Sequence, residues 1–82
     1  MPRYYFDTAN NGQFARDEIG VELADYEAAR QHVGKLLPNM AHSGLPDGDL
    51  HTFGCTIRDE AGENVYNAEL TYHGRLLGLA KR

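Results

Sequence analysis

Only one stretch of this chain can lay a helix over a sheet. From Asp25 to His42 it reads DYEAARQHVGKLLPNMAH, and Tyr26, Ala29, Val33, Leu36, Leu37 and Met40 recur at intervals of three and four. That spacing is the apolar stripe of an amphipathic helix. Asp25 is placed to cap its first turn, Glu27 complements the positive end of its dipole, and Leu23 can staple onto it from outside. The far end is weaker. Pro38 has no amide to give the carbonyl of Gly34, and Gly34 itself disfavours helix. The pattern predicts either a kink near Gly34–Pro38 or a stop at Leu37 with a second short turn, ending by Gly44.

Both flanks read as strands joined by tight turns. Residues 3–8, RYYFDT, alternate so that Tyr4 and Phe6 face a core while Arg3, Tyr5 and Asp7 face away. Asn11-Gly12 is hairpin-turn chemistry, and the return strand 13–17 is expected to bring Phe14 inward. Residues 17–23, DEIGVEL, predict a turn followed by an extended lead-in, with Val21 or Leu23 against the base of the helix. After a loop marked by Pro46-Asp47-Gly48 comes HTFGCTIR, residues 51–58, with Phe53, Cys55 and Ile57 on one face. A turn at Asp59–Gly62 leads to residues 64–72, with Tyr66, Ala68, Leu70 and Tyr72 expected inside and Asn67, Glu69 and Thr71 outside.

The fold class is therefore α+β, in the order ββαββ: a four-stranded antiparallel sheet with one helix packed on one face. Residues 1–73 form a single domain, and residues 74–82 form an apolar and basic C-terminal tail containing Leu76, Leu77 and Leu79. With 82 residues in all, burial reaches roughly 60–65% of the unfolded surface, which leaves a thin core and little volume for a deep cleft.

Charge and chemistry narrow the function. The net charge of −4 lacks the basic field that nucleic acid or an anionic membrane requires. Five basic side chains and all twelve acids lie in residues 1–73, while the tail adds Arg75, Lys81 and Arg82. No apolar run reaches the ~18 residues of a membrane span, and the single cysteine can form no intrachain disulfide, so a reducing cytoplasmic location is expected. Cys55 alternates with Phe53 and Ile57, the position of a buried structural thiol. His32, His42, His51 and His73 show no metal-ligand spacing; the first two are read as solvent-facing helix residues, the last two as strand ends. Asp17/Glu18, Asp47/Asp49 and Asp59/Glu60 are read as turn formers and solubilising charge. No glycine pattern cradles phosphate, and no Ser–His pair suggests a hydrolase. No cofactor, metal or catalytic residue is expected.

Several segments resemble a group of short uncharacterised bacterial proteins: the opening MPRYYFD, Asn11-Gly12, Arg16-Asp17-x-x-Gly20-Val21-Glu22-Leu23, the helix start Asp25 and Glu27-Ala28-Ala29-Arg30, and Arg58-Asp59-Glu60-x-Gly62. That group opens M-P-R-Y-[FY]-F, carries D-x-x-G-x-E-L before a single helix, and commonly lacks a proline within that helix. The resemblance covers about residues 1–72 and implies a domain of unknown function, with no activity or ligand to carry over.

Two surfaces remain for binding. One is the outer sheet face, with Tyr5, Thr56, Val65 and Asn67; the other is the tail, with Leu76, Leu77 and Leu79. The expected role is a non-enzymatic protein-interaction module, partnering another protein or itself as a homodimer through a sheet edge or the tail. The alternative is a small antitoxin-like or regulatory protein that neutralises a partner, since the ββαββ pattern is similar to antitoxin domains of the HicB type.

Overall fold

A computed structural model describes residues 1–44 and 49–78. The expected Pro46-Asp47-Gly48 turn, Leu79 and the last residues of the tail lie outside them. The fold is α+β, with one helix on one face of an antiparallel sheet. In chain order the elements are β1 (Arg3–Asn10), β2 (Gln13–Ala15), β3 (Val21–Glu22), α1 (Tyr26–Gly44), β4 (Leu50–Arg58) and β5 (Asn64–His73). The sheet runs β2-β1-β4-β5, and β3 joins it beside the start of β1. The sheet therefore has five strands rather than four. The fifth is the Val21–Glu22 pair, expected as an extended lead-in.

The turns behave as their residues dictate. Asn11 and Gly12 adopt φ of 51° and 94°, both positive, as a two-residue hairpin turn of the mirror-image type requires. This turn sets Asn10 opposite Gln13 and hence Phe14 opposite Ala9. Since Phe6 faces the core, Ala9 faces away, and so does Phe14. Phe14 is 68% exposed rather than inward. Between β4 and β5 the Asp59 carboxylate accepts from the Glu63 amide at 2.9 Å, closing the second hairpin. The register then slips, pairing Ile57 with Tyr66 but Arg58 with Asn64, so Val65 stands unpaired in a bulge.

The core consists of Phe6, Ala29, Val33, Leu37, Phe53, Cys55 and Ile57, with Tyr4, Val21, Leu23, Leu36, Met40, Tyr66 and Ala68 packed around it. The helix stripe from Ala29 to Met40 meets the inner faces of β1 and β4 as expected, whereas Tyr26, expected in that stripe, is 42% exposed at the first turn of the helix. Asp25 caps the helix, its carboxylate accepting from the Ala28 amide at 2.9 Å. Neither a stop at Leu37 nor a second turn occurs: the helix runs unbroken through Pro38 to Gly44. Gly34 and Pro38 both lie on its exposed face. Water can therefore satisfy the carbonyl that Pro38 leaves without a donor, which lowers the cost of the proline. His32 is not simply solvent-facing. It is half-buried, its ring 4.5 Å from that of Phe6. His51 is buried on the inner face, stacked on Phe53 at 4.3 Å and hydrogen-bonded through Nε2 to Asn10 Oδ1.

The helix crosses the sheet on a diagonal. Its first residue, Tyr26, meets Tyr66 at the start of β5 edge-on, with ring centroids 6.3 Å apart. Its last turns, at Asn39, Met40 and Ser43, share a cavity of about 440 Å³ with Asn10 at the end of β1. The diagonal leaves one corner of the inner face uncovered, where β5 ends. Leu70 and Tyr72, expected inside, are 38% and 40% exposed there.

Candidate functional site

The two edges of the sheet are built differently, and the contrast locates the candidate site. At the β1 edge the outer partners are short: three residues of β2 and two of β3. The gap between them is filled by a side chain. Asp17 Oδ2 accepts from the Phe6 amide at 3.0 Å, and Oδ1 accepts from the amides of Ile19 and Gly20 at 3.0 and 3.1 Å. Gly20 sits so close to β1 that a Cβ there would lie 2.9 Å from Arg3 Cγ and from Tyr5 Cε2, and its φ of +75° also favours glycine. The D-x-x-G run is therefore a plug that closes one sheet edge.

The plug is anchored from the outer face. Arg58 Nε and Nη2 donate to Asp7 at 3.1 and 3.2 Å, and Nη2 also donates to the Asp17 carbonyl at 2.8 Å. The Asp17 amide donates back to Asp7 Oδ1 at 2.9 Å. Tyr5 lies over the guanidinium, 4.6 Å from ring centroid to Cζ. Burial pushes the Asp7 carboxyl upward, but the Arg58 hydrogen bonds, the Asp17 amide and the Arg58 charge outweigh it, so its pKa falls below the ordinary value. For Asp17 burial is likewise opposed, here by the amides of Phe6, Gly20 and Ile19, and the pKa again falls. Arg58 is shifted upward, chiefly by its bonds to Asp7. Tyr5, Arg16, Asp17, Glu18 and Arg58 line a cavity of about 260 Å³, and Asp7 and the Asp17 carbonyl hold Nε and Nη2 of Arg58.

Among the described residues the opposite edge has no such closure. β5 is ten residues long, pairs only with β4, contains no proline or lysine, and carries one acid, Glu69. The Gly74 amide donates to the Asp49 carbonyl at 2.7 Å, which extends this ladder by one step into the tail. That bond also fixes the phase of the strand. Backbone groups alternate in direction along an antiparallel strand, so even-numbered residues of this stretch point toward β4. The N–H and C=O groups of Asn67, Glu69, Thr71 and His73 therefore point off the sheet. Edges of this length are normally blunted by lysine, proline or covering structure.

The surface residues singled out in the sequence divide accordingly. Tyr5 is half-buried over Arg58, and Thr56 is half-buried with its Oγ1 receiving Asn67 Nδ2 at 2.9 Å. Both belong to the outer face. Val65 and Asn67 lie on β5, at and beside the open edge. Leu76 and Leu77 are 58% and 72% exposed and do not close the core. Leu70 and Tyr72, expected in the core, join this edge instead. Phe14 and Tyr26 are exposed where an inward position was expected, and the two-residue hairpin register is the signal for Phe14; Ile19, in the turn, is 80% exposed.

Cys55 is buried with its thiol pKa pushed up to about 11, first by burial and then by Asp7 and Asp17. Among the described residues no group of three His, Cys, Asp or Glu side chains could hold a metal, and no helix is long and apolar enough to cross a membrane. No curated protein and no solved structure matches the chain. One family model does, over residues 3–71, which takes in both the plugged edge and nearly all of β5. By that match the chain belongs to the family described as domain of unknown function DUF6894.

Proposed function

We propose that this protein is a non-enzymatic interaction module that binds by accepting a strand along the free edge of β5. The observation that carries this reading is the asymmetry of the sheet. One edge is sealed by Asp17, Gly20 and two short strands, while the other exposes a long, almost uncharged backbone ladder. Strand addition of this kind draws affinity from main-chain hydrogen bonds and specificity from alternate side chains. The uncovered Leu70 and Tyr72, with Ala68 beside them, give an incoming strand an apolar row on the helix side. A non-catalytic reading is supported by Arg58, one of the two arginines of the polar cavity, being engaged by Asp7 and the Asp17 carbonyl, and by the burial of the cysteine.

Thr71→Pro tests the edge. The Thr71 amide points away from β4, so proline there removes an outward donor and leaves the β4 ladder intact. Thr71→Val keeps the donor. The expected result is that wild type and T71V associate with a partner or with themselves, while T71P does not and keeps its folded far-UV spectrum. A partner bound equally by folded T71P, or no association of wild type at any concentration or with any host protein, refutes the proposal.

A further inference from the structure

The outward-facing groups of β5 have a symmetry of their own. Asn67, Glu69, Thr71 and His73 are evenly disposed about Leu70. We infer that the strand accepted by this edge is β5 of a second copy of the chain, paired antiparallel about a twofold axis through Leu70. This inference rests on the edge reading above and specifies its partner.

The register follows from matching unpaired groups. In a twofold pairing centred on Leu70, Asn67 lies opposite the second copy's His73 and Glu69 opposite its Thr71, and the reverse. Every outward residue then meets another outward residue, with two hydrogen bonds per pair and about eight in all. Centring the axis on Ala68 matches Asn67 with Glu69 but throws Thr71 against the Val65 bulge and leaves His73 beyond the regular ladder. Centring it on Glu69 sets like charges directly opposite each other, which is unfavourable. Only the Leu70 register uses the whole edge.

The side chains favour the same register. On the helix face, Leu70 meets its own symmetry mate and Ala68 meets the second copy's Tyr72. The two uncovered corners merge into one apolar row. A twofold axis perpendicular to the sheet keeps both helices on that side, flanking the row. On the outer face the Thr71 hydroxyl can donate to the second copy's Glu69. The interface is self-complementary, as a twofold contact must be.

Cysteine scanning reads the register directly. Leu70 occupies a non-hydrogen-bonded position, where facing Cα atoms lie about 4.5 Å apart. That distance suits a disulfide, whose Cα atoms sit about 4.4–6.8 Å apart. L70C is therefore expected to form an intermolecular disulfide under mild oxidation. A68C is not, because its symmetry mate lies roughly 14 Å away at ~3.4 Å per residue. E69C is also expected to fail, its mate being displaced by two residues. The buried native Cys55 makes wild type the unreactive control. Light scattering on unmodified wild type should show a dimer that T71P converts to a folded monomer.

Cross-linking of A68C or E69C without L70C overturns the register. A dimer that T71P does not dissociate, or a wild type that stays monomeric at every concentration, overturns the second-copy inference. If wild type is monomeric yet binds another protein in a T71P-sensitive way, this inference falls and the edge reading stands.

Discussion

Replacing Asp17 with alanine removes the plug of the β1 edge at a single atom group, and its cost can be worked from the bonds it breaks. The carboxylate accepts three backbone amides, those of Phe6, Ile19 and Gly20. Bonds to a charged acceptor contribute about 1.5–3 kcal/mol each, and the cost is greatest where the stranded donor cannot reach water. The Phe6 amide belongs to a buried residue, so its loss is set at about 2 kcal/mol. Ile19 and Gly20 are more accessible, and water recovers much of theirs, leaving about 0.5 kcal/mol each. The sum is about 3 kcal/mol in a domain whose whole stability is about 4–12 kcal/mol at 0.05–0.15 per residue. At about 4–8 °C per kcal/mol, the melting temperature should drop by roughly 12–24 °C. Asp17→Asn should fall between, since its amide nitrogen would face the Phe6 N–H while its oxygen still serves Ile19 and Gly20. Urea unfolding followed by far-UV circular dichroism measures both. A loss below about 1 kcal/mol for D17A would mean that Asp17 is an ordinary solvated turn residue, and the account of the edge would be wrong.

Acid should act through the same groups. Asp7 and Asp17 have folded pKa values below their unfolded ones, so their stabilisation is complete above the ordinary carboxylate range and is lost as pH falls through it toward the folded values. Urea midpoints measured from pH 6 down to pH 2 should decline below about pH 4, and the decline should be shallower in Asp7→Asn. Gly34→Ala should stabilise by about 1 kcal/mol, because the site is exposed, its φ is ordinary and a Cβ meets nothing within 4 Å; no gain in melting temperature would count against a regular helix there. The Cys55 thiol, buried and pushed up to about 11, should label with maleimide at pH 8 only as fast as the whole domain opens, and rapidly in urea.

What the sequence disclosed, and what it concealed, follows the range of the interactions. Helix start, hairpin turns and the inner faces of β1 and β4 depend on neighbours within a few residues, and all were legible. Phe14 was misplaced although the information was present: a two-residue turn at Asn11-Gly12 forces it opposite Ala9. Its apolar character outweighed the register. Leu70 and Tyr72 alternate correctly with Tyr66 and Ala68, yet periodicity says nothing about where a helix stops covering a strand. The diagonal crossing from Tyr66 to Asn10 decided that, and it is a property of packing. Asp17 could be read as a turn former, but not as an acceptor for an amide eleven residues away.

The residues that carried the family resemblance now have physical work. Asp17 and Gly20 seal the edge, Arg58 clamps that seal through Asp7, Asp59 and Gly62 close the second hairpin, and Asp25 caps the helix. Each maintains the scaffold. Such motifs identify the fold without indicating what it does. If function resides instead where the scaffold leaves bonds unmade, it lies along Asn67–His73, a stretch of plain composition that no motif search would select. Its character comes from a helix that crosses obliquely and from a neighbour strand that the sheet does not supply.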